Sequence, residues 1–169
     1  MNDQNSSKQS LIKVSIIDDD MVYMDSIKEI LTQDKRIHIY REFNSAIPFI
    51  SQLNSPFLPD VCLIDIVLPE MSGVDCAKLV RARKSDIHII LMTAYPSPES
   101  FAAAKEINAD YIQKGTIGEV IIDKIITHHN ETTGRLLSVS NSKEKFNEIA
   151  LNIIKQFEEM QKNFSKLSK

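Results

Sequence analysis

The sequence has only two cysteines in 169 residues, Cys62 and Cys76, and they stand in the apolar patterns "DVCLID" and "VDCAKLV" with no C-x-x-C spacing. Both read as buried small hydrophobes, which suits a reducing cytoplasm. An excess of positive charge is also missing. With 20 Lys and Arg against 23 Asp and Glu, the net charge of -3 gives no sign of a surface that binds polyanions. No apolar run approaches the roughly 20 residues needed to cross a bilayer. The opening "MNDQNSSKQS" lacks the apolar core of a signal peptide, so residues 1–10 are expected to be a loose, disordered leader of a cytoplasmic protein.

The hydrophobic fraction of 43% and charged fraction of 25% are those of a soluble globular chain, long enough for one domain and an appendage. Short runs rich in Ile and Val at 12–17, 37–43, 60–65, 87–92 and 110–113 have the length of strands. Segments with helical spacing lie between them. These carry Val22, Met24, Ile27, Ile30 and Leu31; Ala46, Phe49, Ile50 and Leu53; Val74, Ala77, Leu79 and Val80; and Phe101 to Ile107. After the last strand, Val120, Ile121, Ile125 and Ile126 mark a fifth helix, expected to end at His128 and His129.

The first, third and fourth strands are almost continuously apolar, as in a parallel sheet covered on both faces. The expected class is a doubly wound α/β domain. Ligands of such sheets gather beyond the carboxyl ends of the strands. The residues there are Asp18 and Asp19, Asp65, Thr93 and Lys114. Clustered carboxylates raise one another's pKa unless a cation screens them, and oxygen-only ligands suit a hard ion such as Mg²⁺. A carboxylate beside Mg²⁺ can act as a nucleophile, while a hydroxyl and an amine bind phosphoryl oxygens. The set reads as a phosphoryl-accepting site.

"IIDDD", "LIDIVLPEMSG", "LMTA" and "YIQKG" occur in an order and spacing that resemble the receiver domain of two-component response regulators, over roughly residues 11–128. The resemblance implies a flavodoxin-like strand order, 2-1-3-4-5, with five helices. It implies Asp65 as phosphoacceptor, Asp18 and Asp19 as the acidic pair, Asp19 being the more direct Mg²⁺ ligand, and the backbone carbonyl of Val67 completing the protein's metal ligands with Asp65. Thr93 and Lys114 would contact the phosphoryl group, and Tyr111 would change rotamer on activation. A histidine kinase or phosphotransfer protein would be the donor. Asp20 matches none of these roles and is read as an N-cap or first-turn acid of the helix beginning near Met21. Pro69 and Gly73 suit a tight loop before a helix.

Three residues depart from the common receiver pattern. Val67 and Tyr95, two residues beyond Asp65 and Thr93, carry no charge to orient a hydrolytic water and are bulky enough to shield an acyl phosphate. They imply slow self-dephosphorylation, unless they merely pack. Gly115 follows Lys114 where the family usually has proline in a bond that is commonly cis; a non-proline cis bond costs about 2.5 to 4 kcal/mol, while glycine permits unusual backbone angles.

Residues 130–141, "NETTGRLLSVSN", read as a linker after a receiver spanning 11–129. In 142–169 the residues Phe146, Ala150, Ile153, Phe157, Met160, Phe164 and Leu167 alternate by four and three, the seam of an amphipathic, coiled-coil-like helix. A homodimer through this helix is the favoured expectation, with docking to another protein second. One helix cannot build a helix-turn-helix unit, and six lysines against four glutamates in 141–169 do not make a basic DNA-reading region. The expected function is a phosphorylation-dependent switch that catalyses only its own phosphorylation and dephosphorylation, without direct DNA binding or membrane association. A degenerate receiver acting as a constitutive scaffold is the rival. An aspartyl-phosphate phosphohydrolase is disfavoured, because such enzymes usually need an acid where Val67 stands.

Overall fold

The computed structural model describes residues 10–84, 86–116 and 118–134. Among the described residues five strands and five helices alternate: β1 (Ile12–Ile17), α1 (Met21–Leu31), β2 (Ile37–Phe43), α2 (Ala46–Gln52), β3 (Val61–Asp65), α3 (Gly73–Arg83), β4 (His88–Thr93), α4 (Pro98–Glu106), β5 (Asp110–Gln113) and α5 (118–134). The strands pair in parallel in the order β2-β1-β3-β4-β5. The doubly wound class and the 2-1-3-4-5 order are therefore present. Each expected strand lies within one residue of its place; β1, β3 and β4 are buried almost throughout and announce themselves as unbroken apolar runs, whereas β2 and β5 at the edges are only partly buried.

Alternation along the strands divides the core into two layers. Ile12, Val14, Ile16, Val61, Leu63, Ile90 and Met92 face Met24, Ile27 and Leu31 of α1 and Ile121, Ile125 and Ile126 of α5. Ile17, Cys62, Ile64, Ile89 and Leu91 face Phe49 of α2, Cys76, Ala77 and Val80 of α3, and Ala104 of α4. Both cysteines are buried free thiols, as read from their patterns. Not every residue on the expected helical faces is inside. Val22, Leu79, Phe101 and Val120 are exposed, because burial in these helices follows narrower stripes, such as Met24, Ile27 and Leu31 on α1.

Side chains fasten the ends of the elements. Asp20 is the N-cap of α1, its Oδ1 accepting from the N–H groups of Val22 at 3.0 Å and Tyr23 at 3.1 Å. Arg81 of α3 donates to the carbonyls of Ile87 at 3.1 Å, Ile107 at 3.0 Å and Asn108 at 3.0 Å, tying the entrance of β4 to the end of α4. Buried His88 lies 2.8 Å from Asp110, which also accepts from Lys124 of α5 at 2.9 Å.

One boundary differs from expectation. The last helix continues through 134 instead of ending at His128 and His129, so the first five residues of the expected linker, 130–134, are helical. "NETTG" is polar but holds no proline, and its only glycine comes last, so nothing in it stops a helix. The chain divides into a unit Met1–Thr127 and a unit His128–Lys169, of which only 128–134 are described. The leader apart from Ser10, the rest of the linker and the seven tail positions from Phe146 to Leu167 lie outside the described residues. Among the described residues no helix is long and apolar enough to cross a membrane.

Gly73 opens α3 so close to β3 that a Cβ built on it would overlap the carbonyl oxygen of Asp65, a backbone atom that cannot swing away. Gly73→Ala is expected to lower unfolding free energy by about 2–3 kcal/mol in urea titrations. Unchanged stability would mean that this loop yields freely.

Candidate functional site

The carboxyl ends of β1, β3, β4 and β5 meet at one edge of the sheet. Adjacent backbones hold them there: Ile66 N–H donates to the Met92 carbonyl at 2.8 Å, Lys114 N–H to that of Thr93 at 2.8 Å, and Gly73 N–H to that of Ile66 at 2.8 Å, closing the 66–73 loop. Chain order reverses between β1 and β3, so the crevice beyond them is the topological switch point.

Asp18, Asp19 and Asp65 come together in this crevice, each offering a carboxylate oxygen within 4.8 Å of the others. Asp18 is fully buried, Asp65 is buried and Asp19 is exposed. Lys114 reaches between the two buried acids. Its Nζ donates to Asp65 Oδ2 at 2.7 Å and to Asp18 Oδ1 at 3.0 Å. It also lies 2.8 Å from Asp18 Oδ2, close enough for an ion pair but off the hydrogen-bonding direction. The Asp20 N–H donates to Asp18 Oδ1 at 3.0 Å, and the Val67 N–H to Asp65 Oδ1 at 3.3 Å.

Burial raises the Asp18 carboxyl above its ordinary pKa, with the Lys114 hydrogen bond pulling the other way. Burial would lower the Lys114 ammonium, but its hydrogen bonds to Asp18 and Asp65 prevail and hold it above the usual lysine value. Lys114 therefore stays charged at neutral pH. Three carboxylates against one ammonium leave two formal negative charges, the complement of a divalent cation. The donors are all oxygen, as Mg²⁺ requires. Asp18 Oδ2 is buried without a hydrogen-bond donor among the described residues, and exposed Asp19 keeps the solvent side open. The residues fit the ion.

The other expected positions surround this centre. Thr93 is buried at the end of β4, and its hydroxyl accepts from the Tyr95 N–H at 3.1 Å. Val67 and Tyr95 stand on the two loops beside the crevice and are 61% and 81% exposed, so packing does not account for them. Val67 brings its backbone to Asp65 through its N–H. The Lys114–Gly115 bond is trans, since no peptide bond among the described residues is cis, and Gly115 has φ +86°, a left-handed conformation that glycine adopts freely. Asp20 spends its carboxylate on the α1 cap.

Tyr111 is half-buried on β5, its ring 5.7 Å from that of Phe101 in an edge-on arrangement. Its hydroxyl lies 2.8 Å from Ser100 Oγ and accepts from the Ser97 N–H at 3.3 Å. Ser97 and Ser100 form the capping box of α4, so Tyr111 is tied to the start of that helix. Sequence reading missed this tie, although "SPES" carries the cap-and-proline signature of a helix start. It also passed over Tyr23, whose ring centroid lies 4.7 Å from Lys114 Nζ. Tyr23 shares the i, i+4, i+8 row of Ile27 and Leu31, and that row was the available signal. Burial pushes the Tyr23 phenol up, with Lys114 opposing.

Residues 14–126 match the family model of the response regulator receiver domain. The transcriptional regulatory protein YdfI of Bacillus subtilis is 29% identical over 110 residues, 64% of this chain and 51% of that protein. The DNA-binding transcriptional regulator NtrC of Proteus hauseri is 30% identical over 122 residues, 70% of this chain and 25% of that protein. The chain thus spans about half or less of these curated relatives. A CheY-like receiver domain protein from Methanospirillum hungatei superposes with a TM-score of 0.63 at 27% identity, covering 72% of this chain and 99% of that one. The receiver domain of AraT from Geobacillus stearothermophilus shares the fold at a TM-score of 0.65 and 20% identity, over 75% of this chain and 98% of its own. With the strand order, the acidic crevice and this match in agreement, the chain belongs to the response regulator receiver domain family.

Proposed function

We propose that this chain is a signalling switch in which Asp65 accepts a phosphoryl group from a histidine kinase or phosphotransfer protein. The observation that carries the reading is one ammonium, Lys114, set between two buried carboxylates at the switch point of a parallel sheet. Asp18, Asp19, Asp65 and the Val67 backbone carbonyl would hold Mg²⁺. When bound, the ion supplies the positive charge that lets three carboxylates and a phosphoryl group share one crevice.

Asp65 is the nucleophile. A carboxylate oxygen bonds to phosphorus as the donor's phosphorus–nitrogen bond breaks and its electron pair stays on the imidazole. Lys114 passes its contact from Asp65 to a phosphoryl oxygen as a point charge. The Thr93 hydroxyl, turned from the Tyr95 N–H, donates to another. Tyr111 then leaves the α4 cap and moves inward, biasing a two-state equilibrium in the surface formed by α4, β5 and α5. Val67 and Tyr95 leave no charged group to direct an attacking water, which supports a long-lived phosphoryl group. Output passes to a second copy or to a partner protein, for which the stripe Phe146 to Leu167 is the candidate contact. The chain acts on no other substrate and works in the cytoplasm.

Incubated with Mg²⁺ and a small phosphodonor, the wild type is expected to gain one phosphoryl group by intact mass and Asp65→Ala none. Label on Asp65→Ala would move the acceptor elsewhere. Asp19→Asn should abolish labelling, whereas Asp20→Asn should leave it nearly intact, because asparagine caps a helix about as well as aspartate. Once the donor is removed, the label should persist for minutes or longer; loss within seconds contradicts the shielding assigned to Val67 and Tyr95.

Asp18 gives a prediction of opposite sign for stability. Its carboxyl is raised above 3.8 by burial, so its ionisation costs folding free energy that is absent below the unfolded pKa and fully present above the folded one. Without metal, Asp18→Asn should melt a few degrees above the wild type at pH 7, and the gap should close as pH falls to 3.8. Mg²⁺ should raise the melting temperature of the wild type only. A metal-free Asp18→Asn that melts below the wild type contradicts this account.

A further inference from the structure

Tyr23 sits in the first turn of α1, where its own N–H is held by the Asp20 cap and its hydroxyl reaches Met92 Sδ at 3.9 Å. Met92 is buried in β4, next to Thr93. The residue is thus held at its backbone and makes a weak contact at its hydroxyl, with the Lys114 ammonium 4.7 Å from the ring centroid. Lys114 has a flexible four-carbon stem and a charge with no preferred direction. Asp18 and Asp65 accept hydrogen bonds from that charge, and the Tyr23 ring lies within cation–π range of it. A cation within about 6 Å of an aromatic centroid is attracted to the ring, more strongly where water is kept out, and both side chains are half-buried.

We propose that Tyr23 is a positioning residue for phosphoryl transfer: its ring holds the Lys114 ammonium over the crevice between Asp18 and Asp65, so that the charge stays in place while its hydrogen bond passes from Asp65 to a phosphoryl oxygen. The proposal rests on the reading of Asp65 as acceptor. Tyr23 acts through Lys114, so its effect depends on that lysine and on an aromatic ring, and the hydroxyl serves only to orient the ring. A side chain that merely filled space beside Ile27 and Ile30 would be replaced adequately by leucine.

The test compares wild type, Tyr23→Phe and Tyr23→Leu, each with and without Lys114→Met. It uses acetyl phosphate as donor at saturating Mg²⁺, together with NMR of the Lys114 ε-methylene protons. Tyr23→Leu is expected to slow phosphorylation by about two- to thirtyfold. Tyr23→Phe should stay within about twofold of wild type, since it loses only a weak sulfur contact. In the Lys114→Met background, leucine should cost nothing further. Ring current should place the Lys114 ε protons upfield in wild type and Tyr23→Phe but not in Tyr23→Leu. Equal rates for leucine and wild type, the same loss with methionine at 114, or absence of the upfield shift each overturn the proposal. A wild type that takes no phosphoryl group while the upfield shift is intact removes the acceptor reading, and with it the kinetic role, but leaves the ring's hold on Lys114 standing.

Discussion

Two buried carboxylates sharing one ammonium is the interaction on which the rest of this molecule turns. Asp18 follows β1, Asp65 ends β3, and Lys114 follows β5, with β4 between the lysine's strand and that of its nearer partner. Only a long side chain can cross that distance, and only a cation makes the arrangement tolerable in a site of low polarity. The parallel order β2-β1-β3-β4-β5 brings the three strand ends to one edge. The two apolar layers above and below then have one further task, which is to hold that edge still.

Elsewhere the fold follows ordinary rules for stability. Apolar residues fill both layers, α1 and α4 have side-chain caps, and Arg81 satisfies three carbonyls at once. The crevice breaks these rules. Asp18 is buried at a cost in ionisation, Asp19 is left facing solvent, and Gly73 lets the next loop approach Asp65 more closely than a side chain would allow. Bulky apolar residues, Val67 and Tyr95, stand exposed beside it. Departures of this kind gathered at one place are what a functional site looks like in a chain that is otherwise locally consistent.

The inner strands β1, β3 and β4 were legible because burial on both faces leaves a one-dimensional mark that needs no knowledge of neighbours. The division within "DDD" was legible for a similar reason, since Asp20 stands where helix propensity alone calls for a cap, and its carboxylate does cap α1. Which side of a helix faces inward was less legible. Val22, Leu79 and Phe101 have the chemistry of core residues, and their exposure follows from where the sheet lies. The hold of Tyr23 on Lys114 joins residues 91 positions apart in sequence, and the tie from Tyr111 to Ser100 crosses from β5 to α4. Pairings of that kind depend on tertiary geometry, which no local pattern encodes. The end of α5 was misplaced because polar residues without a breaker suit a linker and an exposed helix equally.

The most direct test of the central claim is a crystal structure of the protein with Mg²⁺ and beryllofluoride. The account predicts a fluoroberyllate group on the Asp65 carboxylate, the metal bound among Asp18, Asp19 and Asp65, and Lys114 Nζ donating to a fluorine. A structure with no adduct at Asp65, or with Lys114 still bridging Asp18 and Asp65 beside an adduct elsewhere, would contradict it.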